Sequence, residues 1–196
     1  MTHRIGIDFD NTIACYDGVF YQAALEKNLI PEAISTSKGA VRDYLRSVFK
    51  EDAWTELQGF IYGARMNLAK VYPGVGSFFS CCYAKKIPTF IISHKTLHPF
   101  LGPKYDLHKA ARNWLLEQPF SWIPPVFFEL TLQEKLKRIA LQECTVFIDD
   151  LPELLAEKDF PSHVQKILFD PNRLYPKEGD YLYATSWEEI ARMLHV

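Results

Sequence analysis

Short apolar stretches alternate with helical patterns along most of the chain, and this alternation limits the possible folds more than any other feature. The apolar stretches at 4–9, 87–92, 126–128, 144–148 and 166–169 are predicted to be strands. Strands that are apolar throughout are buried on both faces, which is typical of a parallel sheet covered by helices. We therefore predict an α/β protein with a Rossmann-like parallel sheet and helices on both faces.

The helical stretch between the first two strands is too long to be a simple crossover. Helices are predicted at 19–29 and 37–49, and apolar residues three and four apart from Trp54 to Tyr72 predict a third. We expect these helices to form a small all-helical insertion. The predicted division is 1–15 and 73–196 for the α/β core and 16–72 for the insertion, with core helices at 75–86, 106–117, 131–142, 152–157 and 187–194.

Composition narrows the possible partners. The 196 residues carry a net charge of −2 and no basic block, so we expect neither nucleic acid nor an anionic membrane as a partner. No apolar run approaches the roughly 20 residues of a membrane helix. The first strand begins too early to leave room for a signal peptide, so we expect a cytoplasmic protein. The oligomeric state stays open.

Two carboxylates follow the first strand. If that strand ends at Phe9, Asp8 and Asp10 both project into the crevice beyond its carboxyl end, where parallel sheets bind ligands. Acids this close have pKa values that are pushed apart unless a cation lies between them. One can then be an ionised nucleophile and the other a general acid, although an Asx turn after a strand is the simpler interpretation.

Polar residues also mark three later positions. Ser93 ends the second strand, and its hydroxyl can donate to a phosphoryl oxygen. Lys135 lies in the first turn of a helix that a Thr131–Glu134 capping box begins, where the positive helix end also favours phosphate. Asp149 and Asp150 follow a buried strand, and paired acids in such a place favour a hard divalent cation. Each residue alone is also typical of ordinary turns or exposed helix faces.

In this order, these positions resemble the motifs of the haloacid dehalogenase (HAD) superfamily of phosphohydrolases. The stretch Asp8-Phe9-Asp10-Asn11-Thr12 is similar to the first motif, DxDxT. Ser93 resembles the second motif, Lys135 the third (with Lys137 as the alternative), and Asp149-Asp150 the fourth. The resemblance runs from about residue 5 to residue 152.

The resemblance implies phosphoryl transfer through an aspartyl-phosphate, with Mg²⁺ as the cofactor. It implies that Asp8 attacks phosphorus and that Asp10 protonates the leaving oxygen and later activates water. Mg²⁺ would be held by Asp8, the backbone carbonyl of Asp10 and Asp150, with Asp149 further out or bound through water. Lys135, Ser93 and the backbone amides near Phe9 and Asn11 would neutralise the phosphoryl oxygens, while Thr12 braces the turn.

For other polar residues near these motifs, the sequence leaves more than one role open. His94 and Lys95 follow Ser93 in an unusually long loop, and either read the substrate or are simply solvated. Cys15 lies three residues after Thr12, so we expect its alkylation to slow the enzyme, whereas Cys82 and Cys144 are expected in the core. The insertion resembles a HAD cap, and its basic residues either hold a second anionic group or form a solvated face. They are Lys38, Arg42, Arg46 and Arg65.

The most direct interpretation is a Mg²⁺-dependent phosphatase of a small phosphorylated metabolite. The same site could instead transfer phosphate within a sugar phosphate, as the mutases of the superfamily do. Such a mutase should need a phosphorylated activator and release little phosphate. A regulatory binding protein on a HAD scaffold is a third possibility, and an end-phosphatase for polynucleotides is disfavoured by the absent basic patch.

Overall fold

The structure is a computed structural model that describes residues 3–196. It contains eight strands: β1 Ile5–Ile7, β2 Ala14–Cys15, β3 Lys70–Val71, β4 Thr89–His94, β5 Val126–Glu129, β6 Val146–Asp149, β7 Gln165–Phe169 and β8 Leu182–Ala184. It also contains eight α-helices: α1 Val19–Glu26, α2 Lys38–Ser47, α3 Glu51–Ala64, α4 Val75–Ala84, α5 Leu107–Glu117, α6 Leu132–Leu141, α7 Pro152–Leu155 and α8 Trp187–Leu194. A 3-10 turn spans Met66–Leu68.

Six of the strands form one parallel sheet in the order β5-β4-β1-β6-β7-β8, and β2 and β3 form a separate two-stranded sheet. The predicted parallel α/β sheet is confirmed. Its central strand is β1, which pairs with β4 on one side and β6 on the other. Gly6 allows this close pairing, since a Cβ at that position would lie 2.5 Å from the Phe147 ring.

Helices cover both faces of this sheet, as the apolar strands require. On one face Ile92, Phe147 and Leu168 pack with Leu136 of α6 and Leu154 of α7 in a single buried cluster. Alternation sends Phe169, next to Leu168, to the opposite face. There the Phe169 ring lies 5.8 Å from that of Trp187 in α8, which in turn lies 5.0 Å from the Phe78 ring of α4.

The chain separates into two compact units. The sheet unit contains the described residues up to Ala14, Val71–Lys95 and Gln118–Val196, and the helical unit contains Cys15–Lys70 and Thr96–Glu117. Residues 96–117, which the sequence division places with the core, therefore group with the helices. The reason is α5, which packs on α3 and on the 3-10 turn, and whose buried Trp114 donates its indole N–H to the Ala69 carbonyl at 3.0 Å.

One predicted helix was too long, and three short strands were missed. The third predicted helix ends at Ala64 instead of reaching Tyr72, because the chain tightens into the 3-10 turn and then enters β3. An apolar spacing of three to four residues does not distinguish these structures. Strands β2 and β3, with two residues each, and β8, with three, were missed because such short strands carry almost no periodicity.

Other predictions were confirmed within residues 3–196. Cys82 and Cys144 are buried in the core. The capping box that begins α6 is present, with both Thr131 and Glu134 making their reciprocal hydrogen bonds. Over the same residues, no helix is both long enough and apolar enough to cross a bilayer.

Candidate active site

The register of the central strands brings acids from distant parts of the chain together. Ile7, the last residue of β1, lies opposite Ile91 of β4 and Ile148 of β6. The backbone N–H of Asp8 continues this pairing by donating to the Ile148 carbonyl at 2.9 Å. Asp8 and Asp149 therefore leave adjacent parallel strands at the same carboxyl edge, where such sheets bind ligands.

Lys135 reaches this edge from the first turn of α6. Its Nζ donates to Asp8 Oδ1 at 2.6 Å and to Asp149 Oδ2 at 2.7 Å. The Lys135 side chain is buried, whereas Lys137, the alternative candidate, is exposed on the same helix. The fold thus brings Lys135, and not Lys137, to the paired acids.

One buried ammonium faces two buried carboxylates, which leaves an excess of negative charge. Asp8 is 5% exposed and Asp149 is fully buried. Burial lowers the pKa of Lys135, but the attraction of Asp149 and Asp8 outweighs it and raises that pKa above its ordinary value. Burial and, to a smaller extent, repulsion from Asp8 raise the pKa of Asp149 to about 7. The attraction of Lys135 acts in the opposite direction and only partly offsets them. A further cation would relieve this imbalance.

Three carboxylates lie close enough together to hold such a cation. Oxygen atoms of Asp8, Asp149 and Asp150 all lie within 4.8 Å of one another. Asp149 also accepts from Lys135 and from the Leu151 N–H, at 2.9 Å, so it is held from two sides. A set of oxygen donors with uncompensated negative charge fits a hard divalent ion such as Mg²⁺. Asp8 and Asp150 would hold it, with Asp149 beside them.

Asp10 is paired with a second lysine. Lys95 Nζ donates to Asp10 Oδ2 at 2.7 Å, and it lies 5.5 Å from the centre of the Phe9 ring. The Lys95 side chain is 3% exposed and that of Asp10 is 18% exposed. The sequence pointed to Lys95 as a reader of the substrate and gave no sign of this ion pair, because the two residues are separated by 85 positions.

The turn after β1 is fixed by its own backbone. Asn11 has a φ of 59° in the left-handed region, which Asn tolerates better than most residues. Its N–H donates to the Ala14 carbonyl at 2.8 Å, and the N–H groups of Ile13 and Ala14 donate to the Phe9 carbonyl. The backbone N–H of Asn11 is thus already hydrogen-bonded within the turn. A hydrogen bond from this residue to phosphate would have to come from its side chain.

Thr12 makes two hydrogen bonds to residues outside the turn. Its side chain is fully buried, and its Oγ1 donates to Asp150 Oδ1 at 3.4 Å. Its carbonyl accepts from the buried indole N–H of Trp187 at 3.1 Å. Thr12 therefore links the turn after β1 both to the acid after β6 and to α8.

The remaining candidates lie in different surroundings. Ser93 is buried at the end of β4, whereas the exposed His94 ring hydrogen-bonds the Leu130 carbonyl at 3.1 Å. Cys15 is half-buried. The basic side chains of the helical unit all have partners in that unit: Lys38 with Tyr62, Arg42 with Asp43, Arg46 with Glu51 and Arg65 with Glu26.

The chain is similar to known proteins in its fold but not in its sequence. No protein-family profile and no curated protein sequence matches the chain. Solved structures match along almost its whole length. A predicted phosphoglycolate phosphatase from Haemophilus somnus is 15% identical with a TM-score of 0.59, and the match covers 98% of this chain and 97% of that one.

Two further structures show the same similarity. The putative HAD hydrolase YfnB from Bacillus subtilis, described as bound to magnesium, is 12% identical with a TM-score of 0.57 and full coverage of both chains, 100% each. A HAD hydrolase of family IA, variant 3, from Entamoeba histolytica is 13% identical with a TM-score of 0.59, covering 98% of each chain. The chain therefore has the fold of hydrolases of the haloacid dehalogenase superfamily.

Proposed function

We propose that this protein is a Mg²⁺-dependent phosphatase that cleaves a small phosphate monoester through an aspartyl-phosphate on Asp8. The observation that carries the proposal is the contact of Lys135 with both Asp8 and Asp149 at the carboxyl edge of the sheet, beside Asp150. The described magnesium complex of YfnB, a structural neighbour, supports the choice of metal. The proposal extends to a cytoplasmic location and to a substrate other than nucleic acid.

Lys135 donates to both Asp8 and Asp149, and Asp8 is the nucleophile in this scheme because its side chain is 8% exposed, whereas that of Asp149 is 0% exposed and out of reach of a substrate. One carboxylate oxygen attacks phosphorus in line with the leaving oxygen and forms the acyl phosphate. Lys135 orients Asp8 through its 2.6 Å hydrogen bond and contributes positive charge near the equatorial oxygens. Ser93, at the end of β4, donates its hydroxyl to one of those oxygens.

In this scheme Asp10 acts first as the general acid and then as the general base. It gives a proton to the leaving oxygen as the ester bond breaks, and it then takes a proton from the water that hydrolyses the acyl phosphate. When bound at Asp8 and Asp150, Mg²⁺ supplies charge neutralisation for the phosphoryl group. In this proposal the helical insertion at 16–72 acts as a cap, because closing elements of this kind exclude water from the reaction and select the substrate.

The experiment is a phosphate-release screen with sugar phosphates, nucleotides and phospho-acids, run with Mg²⁺ and with EDTA. We expect metal-dependent release with one substrate class. Borohydride treatment during turnover should convert Asp8 to homoserine, because borohydride reduces acyl phosphates, and peptide mass spectrometry locates the change. Phosphate release that continues in EDTA, or without modification at Asp8, would contradict the proposal. Isomerisation of a sugar phosphate with little release would replace it by the mutase alternative.

A further inference from the structure

We propose that Lys95 is a positioning residue, which holds the carboxyl group of Asp10 in the orientation that proton transfer requires. The inference rests on the proposed function, because it assigns Asp10 as the group that exchanges protons with the leaving oxygen and with water. It departs from the simpler idea that a lysine after Ser93 binds the substrate phosphate itself.

The backbone of Lys95 is fixed at the edge of the sheet. It follows His94, the last residue of β4, and its N–H donates to the carbonyl of Glu129 in β5 at 2.8 Å. This hydrogen bond extends the pairing of β4 with β5 by one residue beyond the strand end. The Lys95 side chain thus begins from a rigid strand, which positions a functional group better than a free loop would.

The surroundings of the ammonium favour one fixed position. The side chain is 3% exposed, and its Nζ lies over the Phe9 ring, which is itself fully buried and packed edge-on against Phe128 at 5.6 Å. A buried ammonium needs an anionic partner. Asp10 Oδ2, 2.7 Å away, provides that charge-assisted hydrogen bond.

The hydrogen bond from Lys95 is needed to fix the side chain of Asp10, which is less enclosed than that of Asp8. Its backbone is fixed by the bridge to Ala14, but its side chain is more exposed than that of Asp8, at 18% against 8%. A carboxyl group at a partly solvated position has several rotamers, and a proton-transfer group must keep within hydrogen-bond reach of the reacting atom. The bond from Lys95 selects one of these rotamers.

The test compares leaving groups. We expect Lys95→Met to lower kcat/KM about 30-fold for phenyl phosphate, a poor leaving group, and less than about threefold for p-nitrophenyl phosphate, which departs without protonation. Lys95→Arg should recover part of the loss, because it retains the charge. Inhibition by inorganic phosphate should stay unchanged. Lys137→Met, an exposed lysine of α6, is the matched control and should leave every value unchanged.

A double-mutant cycle with Asp10→Asn separates the two possible roles. If Lys95 acts through Asp10, adding Lys95→Met to Asp10→Asn lowers kcat/KM for phenyl phosphate no further, although Lys95→Met alone lowers it about 30-fold. The double variant also leaves no unpaired buried charge, so the cycle remains available if Lys95→Met alone is poorly folded. A melting curve of each variant checks folding.

Three results would overturn the inference: equal losses for both aryl phosphates, weaker inhibition by phosphate in Lys95→Met, or additive losses in the double variant. The first two would mean that Lys95 contacts the phosphoryl group directly. Each leaves the proposed function intact, provided that the wild type hydrolyses aryl phosphates and Asp8→Asn does not. If the wild type releases phosphate neither from the aryl phosphates nor from any sugar phosphate, nucleotide or phospho-acid of the screen, the proposed function and this inference are removed together.

Discussion

The ion pairs at the edge of the sheet and those of the helical unit have similar lengths and opposite surroundings. Lys135 lies 2.6 Å from Asp8, with side chains 4% and 8% exposed. Arg46 lies 2.8 Å from Glu51, with side chains 52% and 54% exposed. Water and salt screen the exposed pair, whereas removing one partner of the buried pair leaves an uncompensated charge. The distance between charges therefore says little until burial is known.

This comparison also bears on the basic residues of the helical unit. Arg42, Arg46 and Arg65 each pair with an acid of their own unit, which satisfies their charge without a ligand. Lys38 donates instead to the Tyr62 hydroxyl at 2.9 Å and lies 5.4 Å from the Phe20 ring centre. A role in holding a second anionic group of the substrate stays a prediction for all four residues, and alanine variants that lose kcat/KM selectively would support it.

The largest effect should follow from removing one charge at the sheet edge. Asp8→Asn is expected to reduce turnover by more than about a thousandfold, because the amide cannot form the acyl phosphate. Asp43→Asn makes the same chemical change in the exposed Arg42 pair and should leave turnover unchanged. The measurement is phosphate release with Mg²⁺ by protein free of contaminating phosphatase. Wild-type turnover in Asp8→Asn would refute the nucleophile.

The second effect concerns stability. Lys135→Met is expected to lower the free energy of unfolding by about 3–5 kcal/mol in EDTA, because Asp8 and Asp149 then face each other without their shared ammonium. Arg46→Met, at the exposed pair, should be indistinguishable from wild type. Urea unfolding measures both. Equal changes in the two variants would mean that burial does not separate these pairs.

A smaller effect is expected from the metal. Mg²⁺ at about one hundred times its dissociation constant should stabilise the protein by about 2.7 kcal/mol, or about 5 to 10 °C in Tm. Asp150→Asn should lose most of this rise, because Asp150 is one of the three clustered acids. Glu51→Gln, an exposed acid of the helical unit, should retain it. A rise that survives Asp150→Asn would place the ion elsewhere.

The smallest effect is expected from the thiols. Iodoacetamide at neutral pH should modify the exposed Cys81 and spare Cys82 and Cys144, because burial raises the pKa of these two thiols to about 11 and about 12. In a Cys81→Ser background, modification of the half-buried Cys15 should then slow turnover partially. Full activity after complete labelling of Cys15, shown by mass spectrometry, would remove it from the neighbourhood of the site.

The sequence predicted five strands of the main sheet and missed the sixth, β8. Long apolar runs such as 87–92 and 144–148 form strands because burial on both faces demands apolar residues throughout. Strand β8 has only three residues, at the edge of the sheet, and carries too few positions for a pattern. Segment 96–117 belongs to the helical unit because α5 packs against α3. The local sequence pattern does not show this packing.

For the site, neighbouring residues were predictable and distant partners were not. The sequence by itself determined that Asp8 and Asp10 lie together near the end of one strand and that Asp149 and Asp150 lie together near the end of another, since the chain joins them covalently. Only the tertiary structure determined which lysine forms an ion pair with which acid. Two helical positions differ by about 200° around the axis, so the docking of α6 buries Lys135 and exposes Lys137. Lys95 meets Asp10 only because strand register aligns two ends 85 residues apart.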